Sequence, residues 1–138
     1  MREALFRGKR IDNGQWVYGF YAHELQGGHF ILADEGAWYD GPMLSYVEVI
    51  PETVGQYTGL DDKNDMKIFE GDVVTASWYD YEEPREDTFG EVIFNEGWCS
   101  YCIWNEAENV MSEMNGQGAY AWEIEVIGNI HDNPEVTE

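Results

Sequence analysis

The chain has 138 residues, 43% of them apolar and 15% aromatic, enough to bury a core as one ordinary domain or as two small lobes. Its formal net charge of −21 does not imply disorder, which needs high charge and low hydrophobicity together. The opening MREALFRGKR lacks the apolar run of a signal peptide, and no segment approaches the ~20 apolar residues of a membrane span, so a soluble, cytoplasmic chain is expected.

Short β-type runs broken by Gly, Asn and Asp dominate the sequence. Residues 6–11 read as a first strand, Asp12-Asn13-Gly14 as a tight hairpin turn, and residues 16–21 (WVYGFY) as the aromatic return strand. Gly27-Gly28 is the next turn, with a third strand at 29–32. Residues 33–45 read as a loop, and Tyr46–Ile50 as a fourth strand closed by Pro51, which cannot donate to a ladder. The polar cluster Asp61–Asp65 is a turn. A second group of strands opens at 67–74, continues through 75–79, pauses in an acidic loop at 80–88, and resumes at 89–95. Glu96-Gly97 turns the chain into a strand at Trp98–Trp104. Residues 106–114 are the one plausible helix, ended by Gly116 and Gly118, before a last strand at 122–127. Many short strands with regular turn signals define an all-β chain with at most one short helix. The expected lobes are 1–58 and 59–138.

Charge separates the two lobes. Residues 1–60 carry four basic and eight acidic side chains, whereas residues 61–138 carry three and twenty. A strongly anionic second half repels phosphate backbones and attracts basic partners, so direct nucleic-acid binding there is not expected.

Five segments occur together in order: Phe6-Arg7-Gly8-Lys9-Arg10, Asn13-Gly14-Gln15-Trp16-Val17-Tyr18-Gly19, Val54-Gly55-Gln56-Tyr57-Thr58-Gly59-Leu60, Phe69-Glu70-Gly71-Asp72-Val73-Val74 and Val126-Ile127-Gly128-Asn129-Ile130. With Asp132-Asn133-Pro134-Glu135 at the end, the set resembles the YopX family of phage and prophage proteins from about residue 5 to 136. Residues 76–88 and 105–122 depart from the family pattern, and Asp65 stands where the family usually has Gly. The resemblance implies a mostly-β fold whose second lobe is a small barrel of the Src-homology-3 type. It also implies a phage or prophage origin, a bacterial host cytoplasm, and a capacity to self-associate. It carries over no catalytic residue.

Each chemical motif in the sequence has a plainer structural reading. Cys99-Ser100-Tyr101-Cys102 has redox or zinc spacing, but on a strand its two thiols point to opposite faces, and two cysteines are no disulfide framework. The histidines at 23, 29 and 131 are isolated, whereas zinc needs about four ligands. The stretch Asp61–Asp72 fails as a calcium loop in both registers, since Met66 falls on a position reserved for Gly or an oxygen ligand. No glycine-rich phosphate loop precedes a helix. No catalytic, metal or cofactor site is therefore assigned, and an enzyme is not expected.

Two surfaces remain as candidates. One is an acidic partner-binding loop of Asp80, Glu82, Glu83, Glu86 and Asp87. The other is a basic-aromatic patch of Arg7, Lys9, Arg10, Trp16 and Tyr18, with Phe20 on the same strand face. Trp16, Tyr18 and Phe20 read first as a core or interface face and second as a stacking platform for single strands. The run Trp98–Trp104, apolar on both faces, points to a central strand or a subunit interface and so to a possible homo-oligomer. The expected function is that of an accessory protein binding a partner with a basic surface. The alternatives are a nucleic-acid module on the basic-aromatic lobe and a weakly metal-dependent enzyme at the acidic loop.

Overall fold

The computed structural model describes residues 4–34, 44–80, 83–105, 110–114 and 121–132. Among them lie eleven strands, one 3-10 turn at Pro51–Thr53 and no α-helix. The strands are β1 (Phe6–Lys9), β2 (Trp16–His23), β3 (His29–Asp34), β4 (Leu44–Glu48), β5 (Gly55–Asp61) and β6 (Lys67–Phe69). They continue with β7 (Asp72–Asp80), β8 (Glu83–Asn95), β9 (Ser100–Asn105), β10 (Val110–Glu113) and β11 (Ala121–Asn129). Two sheets result, ordered β4-β3-β2-β1-β5-β6 and β10-β9-β8-β7-β11. The chain is all-β, as its turn-punctuated alternation requires. The described ladders form open sheets, so the closed barrel implied by the family resemblance is not seen in them. Two compact units divide the chain, Met1–Tyr57 and Thr58–Glu138.

In the first unit the Asp12-Asn13-Gly14 turn folds β1 onto β2. Arg10 N–H donates to the Gln15 carbonyl and Gly14 N–H to that of Arg10, both at 2.9 Å. The register sets Phe6 opposite Gly19 and Lys9 opposite Trp16. Beyond β4 the sheet curls back on itself: Val49 bridges Arg10, and Ile50 N–H donates to the Lys9 carbonyl at 2.8 Å. Inside the curl, Ile31, Ala33, Val47 and Val49 form the core, with Phe6, Val17, Tyr21 and Val54 packed on it. Strand period two does the sorting, since Ile31 and Ala33 alternate with Leu32, and Val47 and Val49 with Glu48.

The second unit packs Ile68, Val74, Ala76, Val92, Ile103 and Met114 into one core. Its Phe69-Glu70-Gly71-Asp72 turn needs glycine, because Gly71 holds a φ of +89°. Asp72, 2% exposed, accepts the Phe69 N–H at 2.8 Å. Gly71 itself is held from two sides, donating to the Val92 carbonyl and accepting from Ile130 N–H, both at 2.9 Å.

The structure corrects several local expectations. Residues 80 and 83–88 are not a loop but the paired ends of β7 and β8, with Asp80 in register with Glu83; residues 81–82 lie outside the described residues. The helix expected at 106–114 is β-strand at Val110–Glu113, paired with β9. A nine-residue window is too short to hold a helix against a sheet edge that satisfies the same backbone groups. Residues 106–109, Gly116 and Gly118 lie outside the described residues. Gly55 and Gly59 hid β5, and the loop expected at 33–45 is shorter, because β3 runs to Asp34 and β4 starts at Leu44. Trp98 and Cys99 belong to the turn before β9, with Cys99 at φ +50°.

Asp65 closes the β5–β6 turn at φ +64°, the left-handed region. That backbone costs a non-glycine residue about 1–2 kcal/mol, less for Asp, and glycine's greater unfolded freedom takes back part of the relief. Asp65→Gly is therefore expected to raise the urea midpoint by the equivalent of about 0.5 kcal/mol. A lowered midpoint would contradict that geometry.

Candidate binding face

The curl of the first unit buries one face of β2–β3–β4 and leaves the other outside. Register joins Phe20, Leu32 and Tyr46 in one row across three strands, and Ala22, Phe30 and Glu48 in the next. Trp16 and Tyr18 continue the face along β2, opposite Lys9 and Arg7 on β1. Phe20 is 63% exposed and Tyr46 69% exposed, with Tyr18 at 49%. Of the expectation that Trp16, Tyr18 and Phe20 form a core or interface face, the core reading therefore fails for Tyr18 and Phe20. Phe30 meets Tyr46 edge-on with ring centroids 6.4 Å apart, and Glu48 is exposed two residues along from Tyr46.

The cations of this face are already engaged. Arg7, 6% exposed, places its guanidinium carbon 4.6 Å from the Trp16 ring centroid, and Lys9 Nζ lies 5.5 Å from it. Both distances are within cation–π range. Arg10 forms hydrogen bonds to both carboxylate oxygens of Asp12 at 2.9 Å. Those bonds hold the Asp12 carboxyl below the usual carboxylate range. The predicted basic-aromatic patch is thus brought together for Arg7, Lys9, Trp16 and Tyr18, while Arg10 turns to its own hairpin. Phe30, Tyr46 and Glu48 were missed. The signal was the alternation Tyr46-Val47-Glu48-Val49, but only the β3 register carries it to Phe20.

At the ends of β2 and β3, exposed His23 and half-buried His29 stack with ring centroids 4.1 Å apart and 13° between planes. The Tyr21 hydroxyl meets His29 Nδ1. Stacked parallel rings do not converge their nitrogens on one point, as metal ligation requires.

In the second unit Asp62 is the most informative ionisable group. It is 6% exposed and accepts three backbone N–H groups: Asn64 at 2.8 Å and Met66 at 2.9 Å on Oδ1, and Val126 at 2.9 Å on Oδ2. Burial pushes its pKa up, but the three donors together outweigh burial and leave it lowered. The stretch Asp61–Asp72, which fails as a calcium loop in sequence, thus commits its buried carboxylates, Asp62 and Asp72, to backbone N–H groups. Cys99 is exposed and Cys102 buried. Cys102 and Ile103, adjacent on β9, are both 0% exposed, so this chain itself supplies cover for both faces there. Of the acidic candidates, Asp80, Glu83, Glu86 and Asp87 lie on the β7–β8 hairpin, and Glu82 lies outside the described residues. Among the described residues no group of three or more His, Cys, Asp or Glu is arranged to hold a metal ion, and no helix is long and apolar enough to cross a membrane.

Fold and face together define an all-β protein of two antiparallel sheets with an exposed aromatic surface. A family profile described as YopX protein matches residues 5–138. The chain belongs to the YopX family, a family of phage-type proteins. No curated protein matches the sequence.

Proposed function

We propose that the protein is a phage accessory factor that works by binding rather than catalysis, and that its partner is a protein with a basic contact surface. The observation that carries this reading is the charge partition: twenty acidic against three basic side chains in residues 61–138. The β7–β8 hairpin adds to it. Its last register pairs, Tyr79 with Pro84 and Asp80 with Glu83, extend past Trp78, the final β7 residue paired with β11. The hairpin carries Asp80, Glu83, Glu86 and Asp87 on one ribbon, a run of acidic positions that suits a cationic partner.

The test is a host-lysate pull-down at about 0.1 M and about 1 M salt, where the Debye length falls from roughly 10 to 3 Å. Retention of a basic protein at low salt, lost at high salt, is the expected result. A variant with Asp80→Asn, Glu82→Gln, Glu83→Gln, Glu86→Gln and Asp87→Asn is expected to retain several-fold less. Retention indifferent to salt and to those substitutions defeats the reading.

A further inference from the structure

The outer face of the first unit offers what an acidic hairpin lacks, a surface that distinguishes arginine from any other positive charge. We infer that the row of Phe20 and Tyr46, edged by Phe30 and Glu48, receives arginine side chains of the basic protein partner; this rests on the partner reading above. The two exposed rings are joined through Leu32 in one cross-strand row. Glu48 lies two residues from Tyr46 on the same face, roughly 7 Å along the strand. A guanidinium laid on the Tyr46 ring therefore comes within reach of the Glu48 carboxylate. Stacking on a ring and a fork of N–H donors to a carboxylate are what arginine offers and lysine does not.

The chain shows this mode of contact on the same face, with the Arg7 guanidinium over Trp16 at 4.6 Å. Charge selects the occupant. Residues 1–60 carry eight acidic against four basic side chains, and that local excess favours a cationic occupant over a phosphate. The face's own cations are turned to Trp16, and Arg10 to Asp12, which weakens the case for a stacked nucleic acid strand. A second copy of so acidic a chain is likewise disfavoured.

The experiment titrates the full chain with a nine-arginine peptide and a nine-lysine peptide by calorimetry at low salt. The native chain is expected to bind the arginine peptide about tenfold more tightly. Phe20→Ser with Tyr46→Ser removes that preference while leaving salt-dependent binding of both peptides, and the hairpin-neutralised variant weakens both equally. Glu48→Gln, an isosteric change at an exposed site, reduces the preference and guards against misfolding of the double variant. An arginine preference untouched by these changes overturns the inference and leaves the basic-partner reading standing. Native chain binding neither peptide overturns both. A fall in oligomer mass in the double variant assigns the face to a second copy, and a lost oligothymidylate gel shift assigns it to nucleic acid; either overturns the inference.

Discussion

Replacing Asp62 with alanine is expected to destabilise the second unit by about 3 kcal/mol, since each buried donor left without an acceptor costs about 1–3 kcal/mol and partial hydration recovers some of the sum. Three backbone N–H groups lose their acceptor at once: two in the β5–β6 turn and one on β11. Asp62→Asn is expected to fall between, because Oδ1 still serves Asn64 and Met66 while an amide group now faces the Val126 donor. The pH dependence has a definite sign. The folded-state pKa lies below the ordinary aspartate value, so the contribution is fully present above that value and is lost as pH falls through the folded pKa. Urea midpoints measured from pH 6 to pH 2 (about two units either side of the ordinary carboxylate range) should therefore show the gap between native chain and Asp62→Ala narrowing at the acid end to about the gap between Asp62→Asn and Asp62→Ala. A constant gap across that range would mean the carboxylate charge is not what the three donors need.

The second large effect belongs to Gly19. A Cβ at this position would be driven into the carbonyl oxygen of Leu32, with its carbonyl carbon at 2.9 Å and Ile31 Cγ2 at 3.2 Å. Those atoms belong to the neighbouring strand and to the buried core, so no flexible side chain can yield. Gly19→Ala is expected to cost at least about 3 kcal/mol and to unfold the first unit selectively. In an amide spectrum the dispersed signals of β1–β4 should collapse while those of β7–β9 persist. Retained dispersion throughout would show that β2 and β3 can separate without penalty.

These two sites explain why membership of the YopX family describes this chain's architecture better than its task. The shared segments are occupied by scaffold devices: the Gly19 approach to β3, the Gly71 turn with its Asp72 acceptor, and Val126 N–H bound to Asp62. The exposed Phe20, Tyr46 and Glu48 lie outside those segments, as does the acidic hairpin. The surfaces proposed here for binding therefore lie at positions outside the segments that build the scaffold.

By itself the sequence determined the all-β class, the Asp12–Gly14 hairpin and the division of charge, because strand alternation, turn chemistry and net charge are local or additive properties. It did not determine β5 or β10, where glycines or a short helix-like window masked strands whose hydrogen bonds come from distant partners. Nor did it reveal the acidic hairpin, read as a loop from its composition. The aromatic face was half visible, as Trp16, Tyr18 and Phe20 share one strand. Only tertiary structure brought Tyr46 and Glu48 beside Phe20, through a register set by β3. Tertiary structure also showed where the cations of the candidate basic-aromatic patch turn, Arg7 and Lys9 to Trp16 and Arg10 to Asp12. Register and burial are non-local, and for that reason the exposed aromatic face could be seen only in the folded chain.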